Sequence, residues 1–395
     1  MLPLFYVFYH YFNLPFRAWE QRKLGEDVNF LNGRAYSQKE LLDKGKYKVL
    51  RVGNFNTNDR WYYSDLELEE NKYANRGDLL YLWATNFGPE IWNQEKVIYH
   101  YHIWKLKIMN INVSKQYLYT WLITDKERIK QSTNGTTMVH VTKGHIEQRE
   151  FQIPPNLTEQ QKIGTFFKQL DDTIALHQRK LDTLKLMKKG LLQQMFPKRG
   201  ENIPKIRFDD FDDIWEQRIL GEFLKESKIK GSNGSLAKKL TVKLWRKGVV
   251  PKEEIYTGSS ATQYYIRKTG QFIYGKLDFL NQAFGIIPLE LDGYESTLDS
   301  PAFDIEESIN ETFLLEYVSL ARFYKYQGNI ANGSRRAKRI HTDTFFEMPI
   351  PLPNSNEQQK IGTFSRQIDD LIALQQNKLE KLSSLKRFYL KNMFI

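Results

Sequence analysis

The sequence predicts an α+β fold: two domains of mixed strands and helices, each followed by a long helix, the two helices pairing as an antiparallel coiled coil. Three observations carry this. Blocks of sequence recur in order, with residues 159–166 (EQQKIGTF) returning unchanged as residues 357–364. The recurring blocks carry apolar residues at alternating steps of four and three, which puts a seam along one side of a helix and demands a partner to bury it. The segments between the blocks hardly match each other, yet both alternate strand-like and helix-like stretches. Such a pattern is two copies of one plan with divergent middles.

Residues 1–16 form an atypical aromatic lead-in (Phe5, Tyr6, Phe8, Tyr9, Tyr11, Phe12, Phe16). With no Lys or Arg and no small-residue cleavage site they do not read as a signal peptide. They are also shorter than the roughly 20 apolar residues of a spanning helix. The residues leading into the second copy are polar and unlike them, so the expectation is an unusual start site and no place in the native fold. No other stretch approaches the apolar length of a membrane span, and the reading is a soluble cytoplasmic protein with no membrane partner.

The first domain is expected over residues 17–155. It opens on Trp19-Glu20-Gln21-Arg22 and a following Leu-Gly-Glu, a block that returns as Trp215-Glu216-Gln217-Arg218 with its own Leu-Gly-Glu. Residues 47–52 and 97–106 carry the β-branched and aromatic residues of strands, and residues 115–130 read as a helix. His100 and His102, at i and i+2, then share one strand face, which is too little for a metal site. The first long helix takes residues 156–197. Thr158 is placed to cap it, with Gln161 as the capping-box partner, and its seam is Ile163, Phe167, Leu170, Ile174, His177, Leu181, Leu184 and Lys188.

Residues 198–212 are a polar linker. The second domain takes residues 213–352, with 311–326 helical and 269–274 a turn then a strand, matching 76–81. The second long helix takes residues 353–395, capped by Asn356 with Gln359. Its seam runs through Ile361, Ser365, Ile368, Ile372, Gln375, Leu379, Leu382 and Lys386. Residues 159–196 and 357–394 share 22 identities in 38 positions, so the helices are far more alike than the domains. At 1.5 Å per residue each would be roughly 57 Å long. His177 and Gln375 occupy the same seam position, where a buried polar pair would fix register, though partial exposure is the plainer explanation.

Composition narrows the function. There are 58 Lys+Arg against 47 Asp+Glu, a formal charge of +11 and a pI near 9.3, an excess that favours a polyanionic partner. The absence of cysteine excludes disulfides, thiolate metal sites and Cys nucleophiles.

Domain, long helix, second domain, second long helix, with similar helices and dissimilar domains, resembles the organisation of type I restriction-modification specificity subunits. The motifs that carry the resemblance are Trp-Glu-Gln-Arg…Leu-Gly at each domain start and a Pro-rich lead into Glu-Gln-Gln-Lys-Ile-Gly…Asp-Asp-x-Ile…Lys-Leu, with Asp171-Asp172 and Asp369-Asp370 filling the pattern. The resemblance covers the chain after about Phe16. It implies two target-recognition domains, each reading one half of a split, asymmetric double-stranded DNA site. It also implies helices that act as spacer and dock two methyltransferase (modification) subunits, which methylate adenine N6, with restriction subunits completing the nuclease. S-adenosylmethionine, ATP and Mg would be bound by those partners, leaving this chain no cofactor or metal of its own.

The sharpest candidate for DNA contact is the basic turn Ser334-Arg335-Arg336-Ala337-Lys338-Arg339. Four cations in five residues suit phosphates, and Arg can fork onto guanine O6 and N7. Taken alone it reads as an ordinary solvated basic turn; the repeat architecture is what favours DNA contact. The corresponding turn in the first domain supplies Thr136, Thr137 and His140, with Lys143 after it; hydroxyls there read base edges or merely stabilise the turn. Asn86, Lys276 and Asn281 follow the matching strands as second-choice readers, and Arg51 and Asn54 close another strand. Trp83 reads as core or as contact.

No catalytic motif accompanies these candidates. An adenine methyltransferase needs an acidic-or-Asn–Pro–Pro–aromatic tetrapeptide to hold a flipped base, and the Pro-Pro of Ile153-Pro154-Pro155-Asn156 is in the wrong context. There is no Gly-x4-Gly-Lys-(Ser/Thr) phosphate loop. The reading is a non-catalytic subunit. The alternatives are an autonomous endonuclease or methyltransferase with an unrecognised site, or a coiled-coil scaffold.

Overall fold

The computed structural model describes residues 18–55, 58–84, 87–132, 141–253, 259–329, 333–334 and 337–394. The chain divides into two units, Met1–Gln178 with Lys378–Ile395, and Arg179–Asn377. Each long helix is therefore shared out, its two halves counting with different units.

In the first unit the strand Glu20–Lys23 pairs antiparallel with Glu150–Ile153, the strand just ahead of the first long helix. An inner antiparallel sheet runs in the order Val28–Asn32, Ile103–Ile108, Leu79–Leu82, Gly88–Ile91. One face of it packs on the helix Lys115–Ser132 through Phe30, Tyr81, Trp104, Leu118 and Trp121. A second sheet, ordered Tyr62–Ser64, Tyr47–Leu50, Val97–Tyr99, Tyr73–Ala74, contains the parallel pair Tyr47–Leu50 and Val97–Tyr99. The expected strand 97–106 is thus two strands, and His100 and His102 sit in the turn between them. Their i, i+2 spacing does not place them on one strand face.

The second unit repeats the plan. Glu216–Ile219 pairs with Pro349–Leu352, and the inner sheet runs Leu224–Ser227, Ala302–Ile305, Phe272–Tyr274, Phe284–Ile286, the same order as before. The outer part differs: a three-stranded sheet (Lys230–Asn233, Gln263–Ile266, Glu295–Ser296) and a two-stranded one (Leu240–Val242, Val249–Pro251). The helix expected over 311–326 is two, Glu311–Val318 and Ala321–Asn329. It breaks because the Gln282 amide donates to the Ser319 carbonyl (3.3 Å), while Phe323 N–H turns back to Leu320 (2.8 Å) and buried Leu320 points into the core.

The repeated motifs close each domain onto its helix. Trp19 Nε1 donates to Glu159 (3.1 Å) and Trp215 Nε1 to Glu357 (3.1 Å), all four side chains at least partly buried. Buried Gln160 accepts from Ser114 N–H (2.8 Å) and donates to the carbonyls of Asn112 and Pro154 (2.9 and 2.8 Å). Gln358 does the same with Asn310, Ser308 and Pro353. A Cβ on Gly164 would lie 2.7 Å from the Gln116 Cβ, and one on Gly362 would press on Asn310 and Thr312; glycine lets helix and domain touch there.

The long helices are Leu157–Met195 and Ser355–Met393, 39 residues each. Their caps are not Thr158 and Asn356. Asn156 Oδ1 accepts from the amides of Thr158 and Glu159 (2.8 and 3.3 Å), and Asn354 Oδ1 from that of Glu357 (3.0 Å). An Asx side chain one residue ahead of the first turn reaches orphan N–H groups that Thr158, already helical, cannot. Gln161 and Gln359 accordingly serve no capping box; Gln359 accepts from the Asn310 amide (2.8 Å).

The seam is as the spacing requires. Ile163, Phe167, Leu181, Ile361 and Leu379 are buried, and Leu170, Ile174, Leu184, Ile368, Ile372 and Leu382 are partly buried. In the first unit the start of one helix meets the end of the other: Phe166 packs edge-on to Tyr389 (5.4 Å between centroids) and Lys386 pairs with Asp171 (2.5 Å). In the second unit the reverse ends meet, with Lys188 on Asp369 (2.6 Å) and Leu192 and Met195 in one core with Ile361. The helices are an antiparallel coiled coil. Gln375 is only 4% exposed, so the expected partial exposure fails there; His177 is half-buried. No helix among the described residues is long and apolar enough to cross a membrane.

Candidate nucleic-acid interface

The third strand of each inner sheet ends at equivalent residues, Trp83 and Lys276, and the same frame is built around both. Trp83 N–H donates to the His102 carbonyl (3.2 Å), and Val141 N–H donates to the Trp83 carbonyl (3.1 Å). Lys276 N–H donates to the Asp299 carbonyl (2.8 Å), and Ile340 N–H to the Lys276 carbonyl (3.1 Å). Val141 and Ile340 are the residues immediately after the threonine-rich and arginine-rich turns. The residue that follows each candidate turn is therefore tied beside the candidate strand end, with a short helix (Lys143–Glu147 or Thr342–Phe346) leading away from it.

In the second domain the frame is lined by charge. Gly333–Ser334 pairs with Ala337–Lys338 as a hairpin, which gives the basic turn a backbone scaffold; Arg335 and Arg336 lie outside the described residues. Arg339 is exposed and donates to Asp299 (2.9 Å). Half-buried Lys276 has no ion pair among the described residues, and burial holds its ammonium below the usual lysine range, against the pull of Glu226 and Asp299. Lys228, paired with Glu226 (2.9 Å), completes the group. Asn281 sits one loop away, its amide on Asp278 (3.2 Å) and its carbonyl accepting from Trp245 N–H.

In the first domain Asn86, Thr136, Thr137 and His140 lie outside the described residues. Lys143 follows the cap Thr142 and pairs with Glu147 (3.6 Å). Arg51 stacks on Tyr62, 4.2 Å from the ring centre. Asn54 is tied into its own loop: it accepts from Arg51 N–H (3.0 Å) and donates to the carbonyls of Asn58 and Arg60. Trp83 is fixed as well, its indole N–H on the Tyr101 carbonyl (2.7 Å) and its ring stacked on Trp104. Sequence reading passed over Asp299, which holds Arg339. The signal available was its place one turn before the strand Ala302–Ile305, where the first domain has His102.

The family described as Type I restriction modification DNA specificity domain matches residues 17–186 and again residues 215–384. The Type I restriction enzyme MjaVIII specificity subunit of Methanocaldococcus jannaschii is 24% identical over 390 residues, covering 93% of this chain and 90% of that one. Among solved structures, the Type-I restriction-modification system S subunit from M. genitalium superposes with a TM-score of 0.63 at 13% identity, over 97% of this chain and 98% of that one. A chain solved in work on complex assembly and conformational transition of the type I R-M system gives 0.57 at 14% identity, over 95% and 98%. With the family matched twice along most of its length, on two domains of one plan, this chain belongs to the type I restriction-modification DNA specificity family and is a specificity subunit with two repeated recognition domains.

Proposed function

We propose that the chain reads a bipartite, asymmetric duplex DNA site, one half per domain, and docks two methyltransferase subunits along its paired helices, contributing no catalytic group itself. The observation that carries this reading is the strand-end frame, built twice in one chain with the same hydrogen bonds and different linings. Equivalent frames suit half-sites of one geometry, and unlike linings suit unlike base sequences. The candidate readers are Ser334, Arg335, Arg336, Lys338, Arg339, Lys276 and Asn281 in one domain, and Asn86, Thr136, Thr137, His140, Lys143, Arg51 and Asn54 in the other. In this reading restriction subunits join the same assembly, and S-adenosylmethionine, ATP and Mg belong to the partners.

The test replaces Arg335, Arg336, Lys338 and Arg339 by Ala together. DNA affinity falls and its salt dependence flattens, since fewer counterions are released, while methyltransferase docking is retained. Unaltered DNA binding at several salt concentrations would reject the assignment. The purified chain with S-adenosylmethionine or Mg and DNA shows neither methylation nor cleavage; robust modification by the chain alone would instead favour an autonomous enzyme.

A further inference from the structure

Among the described residues, one difference between the two frames lies just beside the strand end. Where the second domain has Asp299 holding Arg339, the first has His102, at the end of a turn made of His100, Tyr101 and His102. We propose that this turn is a base-contacting element of the first domain, adding uncharged rings to the readers of the first half-site where the second has the Arg339–Asp299 pair. The inference rests on the DNA-reading function proposed above.

The turn is rigid and faces outward. Its backbone is pinned from three sides: His100 N–H donates to Leu50 (2.9 Å), Tyr101 N–H to Arg34 (3.0 Å), and the His102 carbonyl accepts from Trp83. The rings form one cluster, with Tyr101 4.3 Å from His100 and 4.0 Å from His102 between centroids, and Trp83 4.9 Å from His102. Despite this packing Tyr101 remains 40% exposed, among the more exposed large side chains of its domain. Such preorganisation is what a recognition element requires, because little side-chain freedom is left to lose on binding.

The chemistry suits base edges. A neutral imidazole carries one donor and one acceptor, and a phenol carries both on one oxygen, which matches the mixed donor and acceptor pattern of the major groove. His100 is kept neutral at physiological pH: burial first, then the charges of His102 and Arg51, lower its pKa to about 4. The three rings lie tilted on one another, and Trp83 meets His102 edge-on.

The test is selection by the full chain from a duplex DNA library with a randomised centre, for the wild type, Tyr101→Ala, Tyr101→Phe and His102→Gln. Thermal unfolding of each variant is recorded beside it. The wild type enriches a two-part motif. Tyr101→Ala and His102→Gln lose about tenfold of base discrimination at positions in one half while the other half is retained. Tyr101→Phe separates the hydroxyl from the ring. Both halves unchanged in the folded variants overturns the proposal, as does equal loss from both halves. Should Tyr101→Ala fail to fold, Tyr101→Phe and His102→Gln decide by the same criteria. No two-part motif from the wild type overturns the DNA-reading function itself, and the inference with it.

Discussion

Where domain meets helix, the first unit places Phe167 at the position the second gives to Ser365, and Thr120 where the second has Glu316. At that position the first junction has a ring, Phe167 lying 6.5 Å from Phe394, beside a Trp19–Tyr117–Phe394 cluster that the second unit repeats as Trp215–Phe313–Phe196. The second is ionic. Glu316 is 2% exposed and receives Arg246 through both oxygens (2.5 and 3.0 Å), Lys188 (2.9 Å) and the Ser365 hydroxyl (2.6 Å). One backbone plan thus tolerates either chemistry, provided the partners change together. Filling the position with a ring removes the need for a charge; leaving it small makes room for one that several donors must satisfy.

The largest effect expected is from Phe167→Ala, which leaves a cavity in the first core and costs about 4 kcal/mol, read as a lowered urea midpoint. Equal destabilisation by Ser365→Ala in the second unit would erase the distinction between the junctions. Glu316→Ala follows at about 3 kcal/mol, since Arg246 and Lys188 lose the charge that satisfies them.

Glu316 also gives the second unit an acid limb of its own. Burial pushes its carboxyl up, but Arg246, Lys188 and Ser365 outweigh this and hold it at about 2, below the ordinary 4.5. A lowered folded-state pKa means stability present in full above 4.5 and lost as pH falls from there through about 2. Unfolding midpoints between those pH values should drop for the wild type and flatten in Glu316→Gln. A smaller effect is expected from Arg339→Ala, which should reduce the logarithmic salt slope of DNA binding by about one. The smallest is Asn354→Ala, about 1 kcal/mol for the lost helix cap, visible in the melting of the full chain.

Much of the architecture was legible because it is repetitive or local. The seam of Ile163, Phe167, Ile361 and their successors can be counted along the chain, and the turn of Arg335 to Arg339 is a run of charge. The Trp-Glu-Gln-Arg block was visible as a motif, but its partner Glu159 lies 140 residues away and Glu357 lies 142 from Trp215, so the bond itself was not. Glu316 shows the limit more sharply: its donors lie 128, 70 and 49 residues from it. The strand-end frame was half readable, since both turns and both strand ends were singled out, but their joining depends on backbone hydrogen bonds that no spacing rule encodes. The helix break at Ser319 is of the same kind, decided by a carbonyl that Gln282 claims from another element.

Because Lys378–Ile395 counts with Met1–Gln178, the first unit cannot finish folding as it leaves the ribosome. Met393 and Phe394 belong to its core, so that core waits, partly open, while all of Arg179–Asn377 is synthesised. The thermodynamic penalty of so long a closure grows only logarithmically, but the delay is real time in which apolar surface stands uncovered. The first unit should therefore be the one that depends on chaperones or on an early partner during biogenesis, although it is the one made first.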